Sequence, residues 1–141
     1  MDLIVHVGLP KTGTTTLQRH AFPSHTGYMG RFIGNKERED AGKRLHNIMR
    51  GLIIGSEEAD AIREWCDQVY VHGSRIGSAN VVVSEERISG INDINSKGVS
   101  ALDWNPRRIA QLLSWVRDSW SKYGNVWPFL GSCGCQRLAV G

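Results

Sequence analysis

The chain has 141 residues, enough for one compact domain that buries roughly two-thirds of the surface its unfolded form exposes, and too few for two. Apolar residues at 40% and charged residues at 22% exclude a disordered, collagen-like or membrane-embedded chain. The net charge of +3 suits a small anionic ligand or acidic substrate, and because the basic residues form no dense tract it argues against nucleic acid.

Asp2 to Val7 is a short β-branched run ended by Gly8, the signature of a buried strand. A helix is expected almost at once, its first turn capped among Thr12, Thr14, Thr15 and Thr16, with Leu17 and Ala21 as its apolar face and Pro23 as its stop. Residues 22–35 read as an irregular connection. Asn35 then caps a second helix with Ala41, Leu45, Ile48, Met49 and Leu52 at helical spacing. Ser56 caps a third, in which Glu57 and Glu58 complement the dipole and Ala59, Ile62, Cys66, Val69 and Tyr70 form the buried stripe. Asn80 to Val83 is a second buried strand, with Ser84, Glu85 and Glu86 at its carboxyl end. After a loop from Gly90 to Asp103, Asn105 and Pro106 open a fourth helix whose core face is Ile109, Leu112, Leu113, Val116 and Trp120, closed by Gly124. Strands alternating with helices predict an α/β fold with a parallel sheet.

No stretch approaches the ~20 apolar residues of a membrane-spanning helix, and Asp2 stands directly before the first strand in place of a signal segment, so the sequence reads as cytoplasmic. Three cysteines, Cys66, Cys133 and Cys135, are too few and odd in number for a disulfide framework, and no second ligand pair accompanies the last two, so no metal is expected. Cys66 reads as a small buried hydrophobe, His6 as a hydrogen-bonded core histidine, and Trp65, Trp104, Trp115 and Trp120 as packing residues.

The chemistry concentrates in Gly8-Leu9-Pro10-Lys11-Thr12-Gly13-Thr14-Thr15, where a strand hands over to a helix. Glycines let the backbone turn tightly so that several N–H groups converge, and the helix start adds partial positive charge. Lys11 contributes a full charge, and the hydroxyls of Thr12, Thr14 and Thr15 add donors, so the loop is built for a phosphate-type anion. The glycine spacing matches the nucleotide-binding P-loop, but that motif carries Lys directly after its second Gly, where this chain has Thr14.

With Lys11 moved into the loop, the run from His6 to Gln18 resembles the 5′-phosphosulfate loop of sulfotransferases that use 3′-phosphoadenosine 5′-phosphosulfate (PAPS), bacterial members above all. The resemblance implies a P-loop-NTPase-like parallel sheet flanked by helices. It also implies transfer of a sulfuryl group to a hydroxyl or amine of a small-molecule, saccharide or lipid acceptor, with PAPS as co-substrate and no metal. Pro10, Lys11, Thr12, Gly13, Thr14 and Thr15 would form the donor site, with Lys11 neutralising charge on the bridging oxygen of the leaving phosphate. Glu85 is the candidate base, since ligands collect at the carboxyl ends of strands in an open α/β sheet and Val81 to Ile88 resembles the segment where related sulfotransferases place a catalytic His or Glu. Glu85 and Glu86 equally suit the N-terminus of a short helix.

The resemblance ends at Val126, so residues 1–126 read as the N-terminal part of a sulfotransferase-like domain. Family members continue with an apolar strand bearing an Arg and, later, a Ser that hold the 3′-phosphate, whereas here Ser132 precedes Arg137. Pro128 and three glycines make residues 127–141 a poor central strand, so this atypical tail reads as the product of truncation or a frameshift and the fold as incomplete. Two other readings stay open: a P-loop-type phosphoryl transferase, and a catalytically silent anion-binding fragment.

Overall fold

The computed structural model describes residues 1–7, 16–49, 57–85 and 106–130. Their β-branched runs and apolar periodicities resolve into strands β1 (Asp2–Val7), β2 (Tyr28–Met29), β3 (Asn80–Ser84) and β4 (Val126–Leu130), and helices α1 (Lys36–Met49), α2 (Glu57–Arg75) and α3 (Pro106–Trp120). The strands form one parallel sheet in the order β2-β3-β1-β4, which makes the fold α/β. No helix among the described residues is long and apolar enough to cross a membrane.

Alternation along the strands divides the sheet into two faces. Leu3, Val5 and Val7 of β1, Met29 of β2, and Val81 and Val83 of β3 turn to the helix layer. There they join Ala41, Leu45, Ile48, Ile62, Cys66, Val69, Ile109, Leu112, Leu113 and Val116 in one continuous core. The predicted stripes of α1, α2 and α3 therefore meet on one face of the sheet, and Trp65, which donates from Nε1 to the Ala41 carbonyl at 2.8 Å, locks α2 onto α1. The Asn35 side chain caps α1 by accepting from the Arg38 N–H at 3.2 Å. Ser56, the Gly90–Asp103 loop, Asn105, Cys133 and Cys135 lie outside the described residues, as does the side chain of Met49. Cys66 is fully buried, and burial pushes its thiol up to about 12, which keeps it neutral.

Three elements differ from the sequence expectation. Leu17–Ala21 is a π-helical turn followed by a 3-10 turn over Phe22–Ser24, and its buried residue is Gln18, whereas Ala21 is exposed. The wider winding rotates the inward face away from the 3.6-residue positions, and Gln18 is tolerated inside because its amide is hydrogen-bonded. The connection expected over residues 22–35 contains β2, whose two residues are too few to show alternation in a sequence. Finally, β4 runs through the boundary placed at Val126 and includes Pro128. Among the described residues it is an edge strand, where a missing N–H is tolerated.

One seam joins the start of β1 to the approach to β4. The Asp2 carboxylate accepts from the Asn125 N–H at 3.1 Å and from Trp127 Nε1 at 3.2 Å, while the Leu3 N–H donates to the Asn125 carbonyl at 2.9 Å. A Cβ on Gly124 would lie 2.1 Å from the Met1 carbonyl oxygen, so the chain enters this seam only without a side chain there. Below it, Trp120 is fully buried, donates to the Met1 carbonyl at 3.0 Å and packs edge-on against Tyr70 and Tyr123, which stack on each other at 3.8 Å.

Two outcomes follow for stability. Trp120→Ala will cost about 3–5 kcal/mol in urea unfolding, whereas Trp120→Phe, which keeps most of the volume and loses the bond to Met1, will cost distinctly less. The bond from Asn125, then that from Trp127, holds the Asp2 carboxyl below its usual value of 3.8. Because its pKa is lower in the folded state than in the unfolded, its contribution is complete above that usual value and disappears as pH falls through the folded pKa. Asp2→Ala will therefore flatten the acid limb of the stability profile and leave its neutral slope unchanged.

Candidate functional site

The face of the sheet opposite the helices carries a different chemistry. Parallel register places Ile4 beside Val82 and Trp127, and His6 beside Ser84 and Phe129. At the carboxyl ends of the two inner strands this produces a polar pair, His6 at 0% and Ser84 at 2% exposure, in place of the aliphatic residues further down. His6 Nδ1 and Ser84 Oγ are 2.8 Å apart. Phe22 approaches the imidazole edge-on at 5.1 Å and Phe129 lies tilted at 5.2 Å.

Gln18 reaches this pair from the π-helical turn, donating from Nε2 to Ser84 Oγ at 3.0 Å and toward the Ser84 carbonyl at 3.5 Å. The carbonyl fixes the orientation of the amide, since an oxygen in that place would be repelled. Which of His6 Nδ1 and Ser84 Oγ donates depends on the tautomer of the imidazole, while Gln18 donates to the same oxygen. Gln18 Oε1 is buried and finds no hydrogen-bond partner among the described residues.

Glu85 follows directly. Its N–H donates to the His6 carbonyl at 3.1 Å, which extends the β1–β3 ladder one residue past β3, and the residue is only 6% exposed. A Cβ on Gly42 of α1 would lie 2.9 Å from both the Glu85 Cβ and the Ser84 carbonyl oxygen, so the helix meets the strand end backbone to backbone and closes over Glu85. The Glu85 charge is among those that raise the Tyr28 hydroxyl, although burial of the phenol is the larger cause. Tyr28 is itself fully buried and packs against Phe22 at 5.5 Å.

Topology explains why these groups gather. From β1 the chain passes over the His6 face, where Gln18 and Phe22 lie, to reach β2; from β3 it passes through α3, on the other face, to reach β4. The connections leave neighbouring strands in opposite directions, so the carboxyl ends of β1 and β3 form the switch point outside which open α/β sheets place a ligand crevice. Of the sequence-predicted site residues, Glu85 stands at this crevice. Pro10, Lys11, Thr12, Gly13, Thr14 and Thr15 lie outside the described residues. His6 is the buried, hydrogen-bonded histidine the sequence suggests. Gln18, Ser84 and Gly42 carried no signal of their own; the spacing of Val82 and Ser84 along β3 is the one pattern that places Ser84 opposite the core face.

Elsewhere, a groove of about 290 Å³ between α1 and α2, lined by Arg44, Asn47, Ile48, Glu64, Trp65 and Gln68 among others, contains none of the predicted residues. Among the described residues no three His, Cys, Asp or Glu side chains converge as a metal site would require.

Ser84→Ala will leave the Gln18 amide and His6 Nδ1 facing an apolar methyl inside the protein and will cost about 1–3 kcal/mol by urea unfolding. Ser84→Thr, which keeps the hydroxyl, will recover most of that loss if the added methyl is accommodated. No protein-family model, curated protein or solved structure matches the chain.

Proposed function

We propose that the chain is a sulfotransferase that moves a sulfuryl group from PAPS to a hydroxyl or amine, through a P-loop-like loop on β1. The observation that carries this reading is the sequence Gly8-Leu9-Pro10-Lys11-Thr12-Gly13-Thr14-Thr15 directly after the inner strand β1, with Glu85 directly after the neighbouring strand β3. The strand order supports it, because β3, which leads into Glu85, lies beside β1, which leads into this sequence.

In this mechanism the amides of the loop and the hydroxyls of Thr12, Thr14 and Thr15 hold the donor's 5′-phosphate and the sulfuryl oxygens. The acceptor oxygen or nitrogen attacks sulfur in line, the new bond to sulfur forms as the bond to the bridging oxygen breaks, and the acceptor proton passes to Glu85. Negative charge gathering on the departing bridging oxygen is met by Lys11. Positioned donors of this kind are worth about 3 kcal/mol each in a transition state, and a base a further hundred- to ten-thousand-fold, roughly. The chemistry calls for no metal. The P-loop-like glycine spacing favours a phosphoryl transferase as the second reading, and the displaced lysine counts against it.

Calorimetric titration separates the two. The full chain will bind PAPS and adenosine 3′,5′-bisphosphate in preference to ATP, and Lys11→Ala will weaken both by about tenfold or more. Glu85→Gln will leave donor affinity unchanged while abolishing most of the transfer. Tighter binding of ATP, or donor affinity indifferent to Lys11, would remove the sulfotransferase reading.

A further inference from the structure

Beside the crevice, an exposed phenyl ring holds two cations. Phe32 is 38% exposed and has φ of 72°, a left-handed conformation that a bulky L-residue adopts at a cost, in a loop where Gly34 adopts it freely at 75°. The guanidinium carbon of Arg19 lies 4.8 Å from the ring centre and that of Arg31 lies 4.9 Å from it. Each gains from the ring's negative face. Sharing one ring also brings the two charges within about 10 Å of each other, one Debye length at moderate salt, where they repel. Among the described residues neither guanidinium forms an ion pair. The carboxylate this loop does hold, Glu39, is taken up by the N–H groups of Ile33 and Gly34 at 3.2 and 3.4 Å.

The location ties this cluster to the site. Arg19 follows Gln18, whose amide is bound to Ser84, and Arg31 stands two residues beyond Met29, the partner of Val83 in the sheet. Both cations and the ring therefore project from segments attached to the carboxyl end of the sheet, with no core residue of their own to support. Two forked donors held on one ring, neither of them ion-paired among the described residues, form a receptor for an acidic group.

We propose that Arg19 and Arg31, held on Phe32, form an anion clamp near the carboxyl end of the sheet, and that the acceptor it selects is acidic: a sugar acid or aromatic acid whose carboxylate or sulfate is held by the two arginines. That the ligand is an acceptor rests on the sulfotransferase reading; that it is an anion does not.

The test uses the full chain, labelled with nitrogen-15, and a nitrophenyl glucuronide and the matching glucoside, which differ in one carboxylate. The glucuronide will shift the amide signals of Arg31 and Phe32 and bind about tenfold more tightly than the glucoside, a preference that shrinks as salt is added. Arg19→Gln with Arg31→Gln, both exposed and free of structural bonds to the core, will erase the preference. Phe32→Gly, which suits the left-handed φ, removes the platform both guanidinium groups share and will reduce the preference. Equal binding of the two glycosides by the unaltered chain, or a preference that survives the double substitution, overturns the clamp. If the double substitution weakens adenosine 3′,5′-bisphosphate but not AMP, the arginines hold a donor phosphate and the acceptor assignment falls. If the glucuronide preference persists while Lys11→Ala leaves adenosine 3′,5′-bisphosphate binding unchanged, the clamp stands and the sulfotransferase reading fails alone.

Discussion

The hydroxyl of Ser84 is the atom around which the crevice is assembled. It meets His6 on β1 at 2.8 Å and Gln18 from the connection that follows β1 at 3.0 Å, while the next N–H in the chain extends the ladder to the His6 carbonyl. Three segments distant in sequence are thus pinned at one end of the sheet. A buried polar group of this kind is costly when its partners are missing and specific when they are present, because an aliphatic residue in its place would accept many arrangements and the hydroxyl accepts few. The functional proposal inherits its geometry from this seam: the loop of Lys11 leaves one of the pinned strands, and Glu85 leaves the other.

The opposite face is organised by volume. The aliphatic residues of β1 and β3 and the stripes of three helices form a single core, and at the carboxyl end of β3 Gly42 lets α1 come close to Ser84 and Glu85. A side chain at that position would push α1 away from the strand end and open the space over Glu85. The helix layer and the polar seam consequently act on the same residue from two sides, one by packing and one by hydrogen bonds.

The sequence was most legible where a physical signal repeats over several residues. The β-branched runs at Leu3–Val7 and Val81–Val83, the stripes of α1, α2 and α3, Asn35 as a cap and Pro106 in the first turn of α3 all rest on periodicity or end chemistry that needs no tertiary context. It was least legible where context decides. Two residues suffice for β2 once β3 offers a partner, yet they show no pattern alone; Pro128 disfavours a central strand but not an edge one; and π-helical winding turned Gln18 inward where a regular helix would bury Leu17 or Ala21. The reading of residues 8–15 as an anion loop rests on Lys11, its glycines and its threonines in the sequence alone, whereas the Ser84 seam and the ring shared by Arg19 and Arg31 exist only after folding has brought these residues together.

A crystal structure of the chain with adenosine 3′,5′-bisphosphate addresses the central claim most directly. The account predicts the 5′-phosphate at the carboxyl end of β1, within hydrogen-bond distance of the Lys11 ammonium and the amides of Thr12 to Thr15, with Glu85 across the crevice. A nucleotide seated elsewhere, such as in the groove beside Trp65, or a Lys11 side chain turned away from the phosphate, would contradict it.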